Sequence, residues 1–230
     1  MADYLHGAYG QIQAVGTKVA IKSQNAIVYV GTAPVHTVAG GAANVNRPIL
    51  VTNIAEARKH FGYSDEWDKY TLCEAMHAHL ENKAVGPLVL INVLDPATHK
   101  AAEAGTANLT PENGRVTIAN AGDIILDTVA VTGKTKGTDY TVQYDFKKKL
   151  LTIAEITSGG LGTEALTITY NSIDATAVDA DDVIGATDGA GLNTGLFAIK
   201  NVYQETGFIP SFLLAPKGIG AGLIAGAVVG

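Results

Sequence analysis

The side chains best suited to chemistry in this chain are Cys73, His77 and His79, followed by a Gly133-Lys134-Thr135 tripeptide and a Gly189-x-Gly191 loop set among aspartates. A thiolate and two imidazoles are zinc ligands, and on a helix Cys73 and His77 stand one turn apart. His79 lies about 200° around the axis from His77, so the three do not converge. No second Cys or HxxxH pair completes the ligand set that zinc requires. A buried Cys beside surface histidines on an amphipathic helix is the expected arrangement, and no metal is expected.

The Gly133-Lys134-Thr135 tripeptide imitates the end of a phosphate-binding loop, but Thr128 stands where the first glycine belongs, and strand-like residues follow where a helix is needed. In the Gly189-x-Gly191 loop the third glycine position is Thr194. Asp174, Asp179, Asp181, Asp182 and Asp188 crowd it without a Lys or Arg, so a pyrophosphate would be repelled. The same aspartates lack the spacing and terminal Glu of a calcium loop. No G-x-S-x-G elbow is present, and no Ser and Asp accompany the histidines at recognisable positions. No catalytic, cofactor-binding or metal-binding residue is assigned, no cofactor is expected, and the chain is read as a non-enzyme.

The bulk properties exclude further classes. Twenty-two acidic against sixteen basic side chains give a net charge of −6 without a cationic stripe, which argues against nucleic-acid binding. Cys73 alone cannot form an intrachain disulfide, in keeping with a reducing compartment. Asp3, His6 and Gln11 interrupt any signal-peptide pattern. The uncharged segment 218–230 places Gly218, Gly222, Gly226 and Gly230 four apart, as packed membrane helices do, but it is shorter than the roughly 20 residues that span a bilayer. Membrane insertion is not expected.

The elements that would carry such residues divide the chain into four regions. Residues 1–24 alternate weakly and read as an extended arm. In 25–105, strands are expected at 25–32 and 48–52. Asn53 and Glu56 then form a capping box on a helix that ends at Gly62, and a second helix over 64–82 buries Trp67, Tyr70, Cys73, Met76 and Leu80. A central strand follows at 88–94, apolar throughout. Residues 106–176 lose helical periodicity and give strands at 115–119, 124–132, 139–144, 150–155 and 165–171. Tyr140, Tyr144 and Tyr170 are expected in their packed faces. Residues 177–230 return to a loop over 185–195, then to a helix with Leu196, Ile199, Val202 and Tyr203 on one face and Gly207 at its C′ position, and finally to a buried strand at 208–215. The fold class is therefore an α/β (α+β) base domain interrupted by an inserted all-β sandwich or barrel-like domain.

The stretch DVIGATDGAGLNTGLFAIKNVYQETGFIPSFLLAP at 182–216 resembles the contractile-tail sheath proteins of bacteriophages. MADYLHGAYGQIQ, AIVYVGTAP, NRPILVTNIAEARKHFG and LVLINVLDP occur earlier in the order that family uses, so the resemblance covers most of residues 1–216. It implies a structural subunit that polymerises around a tail tube and contracts to drive the tube through a host envelope. The implied partners are other sheath subunits, the tube protein and baseplate proteins, with no nucleic acid. Assembly would take place in the host cytoplasm and the product would reside in the tail of a phage or prophage-derived particle.

The resemblance further implies that the arm joins a neighbour's sheet by strand addition, with Tyr4, Leu5, Ile12, Ala14, Val19 and Ile21 as its subunit contacts, and that 106–176 sits on the outside of the cylinder. Sheath proteins normally continue beyond the LLAP strand into another helix and a C-terminal domain, so the second part of the base is expected to be truncated. The competing expectation is an Ig-like binding, adhesin or baseplate module.

Overall fold

The computed structural model describes residues 25–216. The arm assigned to 1–24, with Tyr4, Leu5, Ile12, Ala14, Val19 and Ile21, and the glycine-rich segment lie outside the described residues. Ten strands form among them. Those of the first part are β1 (Asn25–Gly31), β2 (Ile49–Val51) and β3 (Leu88–Asn92). Next come β4 (Gly105–Leu109), β5 (Arg115–Ala119), β6 (Ala130–Val131), β7 (Tyr140–Asp145), β8 (Leu150–Glu155) and β9 (Leu166–Tyr170), and finally β10 (Ile209–Leu214). The α-helices are short: α1 (Ile54–Phe61), α2 (Thr71–Met76), α3 (Ala180–Ile184) and α4 (Val202–Thr206). The content is mixed α and β, distributed over several sheets.

One sheet has the order β10-β1-β3-β2, with β1 parallel to both of its neighbours and β2 antiparallel to β3. The unbroken apolar run expected for a central strand is realised in β3, where all five residues are buried. Val28, Val30, Val89, Leu90 and Ile91 share one core with Phe61, Leu72, Met76, Ala198 and Val202. Each of these side chains other than Ala198 contributes about 1.5–3 kcal/mol on burial. At the end of β3, Asn92 is fully buried and makes three hydrogen bonds to backbone groups. Its Oδ1 accepts from Ala33 N at 2.8 Å and Leu94 N at 3.2 Å, and its Nδ2 donates to Leu94 O at 2.8 Å.

Asn53 caps α1 as its sequence predicts, accepting from Glu56 N at 2.9 Å. The reciprocal half differs. The Glu56 carboxylate accepts from the Thr52 backbone N–H and hydroxyl, both at 2.8 Å, instead of from Asn53 N, and these bonds hold its carboxyl below the usual range. Gly62 ends the helix at φ 71°, where a Cβ would stand 2.6 Å from Pro34 O, so only glycine fits.

The second helix is shorter than its periodicity predicts. Residues 64–70 form turns, α2 starts at Thr71, and the helix widens to a π-helix over His77–Asn82. The start is fixed from outside the helix: Thr32 Oγ1 accepts from Thr71 N at 3.1 Å and Thr32 O accepts from Leu72 N at 2.9 Å. Two orphan N–H groups of the first turn are thereby satisfied by the end of β1. Tyr70, Cys73, Met76 and Leu80 are buried as expected, and Trp67 is half-buried.

Two three-stranded antiparallel sheets, β4-β9-β6 and β5-β8-β7, contribute to a second core that includes Val116, Val131, Tyr140, Leu151, Ile153, Leu166 and Ile168. Strands β5, β7, β8 and β9 fall within a residue or so of their expected bounds. Of the strand expected at 124–132 only β6 remains, preceded by 3₁₀ turns at Ala121–Asp123 and Leu126–Thr128. Ile124 and Ile125 are themselves extended and point in opposite directions, Ile124 into the second core and Ile125 into the first, and the 3₁₀ turns on either side of them keep the segment from pairing as a continuous strand. Strand β4, not anticipated, pairs along the whole of β9.

After α3, residues Gly195–Asn201 form a 3₁₀-helix that leads into α4. A period of three places Leu196, Ile199 and Val202 on one side and Gly195 with Ala198 beside them. Tyr203, assigned to that face, instead points to solvent, and Ala198 is buried. Gly207 ends α4 in the left-handed conformation, as expected of a C′ glycine.

His36 lies where the two cores meet. Its Nε2–H donates to Gly122 O at 2.9 Å while Nδ1 has no protein partner, and burial pushes its pKa down to about 4. The neutral ring is therefore the folded form. Between the unfolded value near 6.5 and the folded value the unfolded chain binds the extra proton, so stability falls as pH drops through that window. The expected loss is on the order of 3 kcal/mol at most. Urea unfolding midpoints from pH 7 to 4 check this, and His36→Gln should flatten the dependence; an equally steep profile in that variant would assign it to other groups.

Candidate functional site

Each group with chemical potential is already engaged in holding the fold. Cys73 is fully buried, and burial pushes its thiol up to about 12, which removes it as a nucleophile or ready metal ligand at neutral pH. His77 stacks on Trp67 with ring centroids 5.0 Å apart and bonds Glu81 through Nδ1 at 3.0 Å. His79 faces elsewhere, its Nε2 2.7 Å from Tyr29 Oη. The three are not brought together, and among the described residues no group of three His, Cys, Asp or Glu side chains could hold a metal.

Four of the five aspartates of 174–188 are consumed as caps and turn formers, Asp181 contributing only its backbone. Asp174 Oδ1 accepts from the Thr176 hydroxyl and N–H, which holds its carboxyl low. Asp179 and Asp182 close a capping box on α3, and Asp188 accepts from Ala190 N and Leu192 N. This accounts for their density without a ligand. Gly133 lies in the turn after β6 at φ 73°, with no helix behind it.

His99 was not singled out by its sequence context, yet it is buried and pairs with the half-buried Asp182. Its Nδ1 accepts from Asp95 N at 2.9 Å, so the ring proton sits on Nε2, which donates to Asp182 Oδ2 at 3.1 Å. Both nitrogens are occupied, and the nearest hydroxyl, Thr98 Oγ1, is 3.4 Å from the nitrogen that Asp95 already fills. The pair straps α3 to the loop after β3 and is not set up as a general base.

The surface without such employment is β10. The sequence correctly places this strand, but it is not buried. It forms the margin of its sheet, with β1 on one side and no described strand on the other. Ile209, Phe212, Leu213 and Leu214 are exposed, Phe212 by 67%. Phe212 and Leu214 stand beside Ile27 and Tyr29, and Leu213 beside Val28. The opposite margin, β2, is only three residues long. Margins of sheets are ordinarily blunted by lysines, bulges or brevity, because their unpaired N–H and C=O groups invite another strand. Ile209–Leu214 carries no charge, but Pro210, which lacks an N–H, and a bulge at Ser211 interrupt its first half, so that the regular apolar stretch is Phe212–Leu214. Its chemical capability is adhesion: a ladder of backbone donors and acceptors flanked by apolar side chains on both faces.

Among the described residues no helix is long and apolar enough to cross a membrane. No protein-family model matches the chain. The chain is similar to the tail sheath protein of Burkholderia phage BcepMu, with 30% identity over 220 residues. The similarity covers 94% of this chain and 43% of that relative, so the chain spans less than half the length of the curated protein it matches. The resemblance read from the sequence motifs is borne out by this relative.

Proposed function

We propose that this chain is a structural, non-enzymatic subunit of a phage tail sheath, working by association with its own copies around a tail tube and between baseplate components. The observation that carries this reading is the exposed, uncharged apolar stretch Phe212–Leu214 at the margin of β10, taken with similarity to a tail sheath protein along nearly the whole chain. In this proposal 25–105 and 177–230 form the base, 106–176 is an inserted all-β sandwich on the outside of the cylinder, and 1–24 is an arm that adds a strand to a neighbouring subunit. Contraction would then be a transition between two packings of the same interfaces, with the arms preventing separation. Assembly in the host cytoplasm and residence in the virion tail follow from this role.

The binding-module alternative is not favoured. It would place aromatic side chains on exposed loops of the β region, whereas Tyr140 is buried with its Oη accepting from Val131 N at 3.1 Å, and Tyr144 and Tyr170 are half-buried within strands.

Electron microscopy of concentrated protein tests the reading: tubes or stacked rings are expected. Deleting residues 1–22 should abolish ordered assembly while circular dichroism remains that of the intact chain. Dispersed single molecules under every ionic condition would overturn the function, and unchanged polymer after the deletion would overturn the arm.

A further inference from the structure

The second core is attached to the first along two flanks of different character. On one flank the chain itself passes between them. Lys100 bridges Ile173, Ile124 bridges Ser172, and Ile125 and Ile173 are buried in the first core although they flank strands of the second. On the other flank residues 36–40 meet 122–127, and beside them one tight turn, between β7 and β8, reaches across with its side chains.

That turn is shaped before it docks. Asp145 Oδ1 accepts from Lys147 N at 3.0 Å and Lys148 N at 3.2 Å, and Lys149 takes the left-handed conformation at φ 51°. The tip so formed presents Phe146 to α1 and the residues just after it. Its ring meets Tyr63 edge-on at 5.4 Å, and the Arg58 guanidinium lies 5.0 Å above Phe146 and 4.5 Å above Tyr63. Glu81 fixes that guanidinium through bonds of 3.0 and 3.1 Å. Beside this wedge, Glu66 binds both Lys149 and Lys69, and Lys69 continues to Asp123 at 3.5 Å. Glu66 and Lys69 come from the first-core side, Asp123 and Lys149 from the second, so the charged chain crosses the boundary.

Behind the turn the packing is incomplete. A cavity of about 190 Å³ is lined by Tyr63, Glu66, Tyr70, Asp123, Tyr144 and Lys149, and the buried Tyr70 hydroxyl has no protein partner. Cohesion on this flank is concentrated at the rim, because the space behind supplies few contacts. Among the described residues, further hydrogen bonds cross nearby from His36 to Gly122 and from Gly40 N to Asp127, the latter 3.0 Å and exposed.

We propose that the β7–β8 turn is a latch: Phe146 between Arg58 and Tyr63, reinforced by the Lys149–Glu66–Lys69–Asp123 chain, clamps the second core onto the first, and its release lets that core swing about the flank where the chain crosses. The proposal concerns this joint alone and does not depend on what β10 binds. It makes the β region a carried lever with a defined angle, instead of an appendage on two linkers. Because the charged members are partly exposed, salt weakens the latch.

Hydrogen exchange and small-angle scattering on the whole chain test it. In Phe146→Ala/Lys149→Glu, amides of 58–70 and 144–149 should exchange roughly tenfold faster or more, with those of β3 and β8 unchanged and the radius of gyration increased. Lys149→Glu alone, at an exposed site that should not impair folding, is expected to give a smaller rise that 1 M salt reproduces in the unaltered chain, in line with the short screening length there. Boundary amides exchanging at the original rate in both variants would overturn the latch. Loss of protection throughout both cores would overturn it too, since the two would then be a single cooperative unit with no joint to open.

Discussion

Asn92→Asp should destabilise the protein by roughly 3–5 kcal/mol at pH 7, a large part of the 5–15 kcal/mol that a domain has in total. The side chain is completely buried, with three bonds to backbone groups. Two of those bonds survive the change, because a carboxylate oxygen can still accept from Ala33 N and Leu94 N. The third reverses sign: where Nδ2–H donated to Leu94 O, a charged oxygen now faces a carbonyl oxygen at a position with no solvent exposure. Protonation restores a donor of nearly the same shape, so the fold raises the pKa of the introduced Asp above its unfolded value near 3.9.

The penalty is therefore complete above the raised pKa and disappears as pH falls toward the unfolded one. Unaltered protein behaves in the opposite sense over the same interval because of His36, so the informative quantity is the difference between variant and parent at each pH. Urea midpoints at pH 7 and 4.5 measure it. A difference below about 1 kcal/mol, or one independent of pH, would mean that Asn92 is not the sealed junction between β1 and β3 that its bonds describe.

The pattern of success in reading this chain follows from the range of the forces involved. Strands β1, β3, β7, β8 and β9 were legible because each carries its own signal, a β-branched run or a strict alternation, and neighbours merely confirm it. Asn53 was legible as the cap of α1 because a cap acts within four residues, whereas the Glu56 carboxylate turned to Thr52 and not to Asn53. The start of α2 was not legible, since its cap is Thr32, thirty-nine residues earlier, and periodicity alone extends the helix back through Trp67.

Residues 124–132 misled for a related reason. Consecutive isoleucines look like a strand, and Ile124 and Ile125 are extended with their side chains in different cores, but 3₁₀ turns close in on both sides of them and no local pattern announces those turns. The pairing of His99 with Asp182 joins residues 83 apart, and the latch residues Phe146 and Arg58 are equally remote, so composition could mark them only as unremarkable surface positions. At β10 the sequence foretold a strand and its apolar character. It could not foretell exposure, because an apolar strand reads the same whether its cover is this chain or another molecule.

That ambiguity is what Phe212→Asp/Leu214→Asp resolves. Both side chains are exposed in the isolated chain, so stability should stay within about 0.5 kcal/mol of the parent. Association is a different matter. If the margin of β10 is covered in the assembly, each side chain loses about 1.5–3 kcal/mol of burial, and a carboxylate must in addition be desolvated against an incoming strand. A combined loss of 3 kcal/mol or more corresponds to at least a hundredfold weaker association. The concentration at which tubes or rings form should rise by about that factor, which sedimentation and electron microscopy would both register.

Combining this change with deletion of residues 1–22 separates the two proposed contacts. If the arm of one subunit lies along the β10 margin of another, the two changes break the same bond, and together they should weaken assembly no more than the stronger of them alone. If arm and margin act at different places, their effects should add. Tubes forming at the parent's concentration from the β10 variant would remove this margin from the assembly, leaving its exposed phenylalanine and leucines without the role assigned to them.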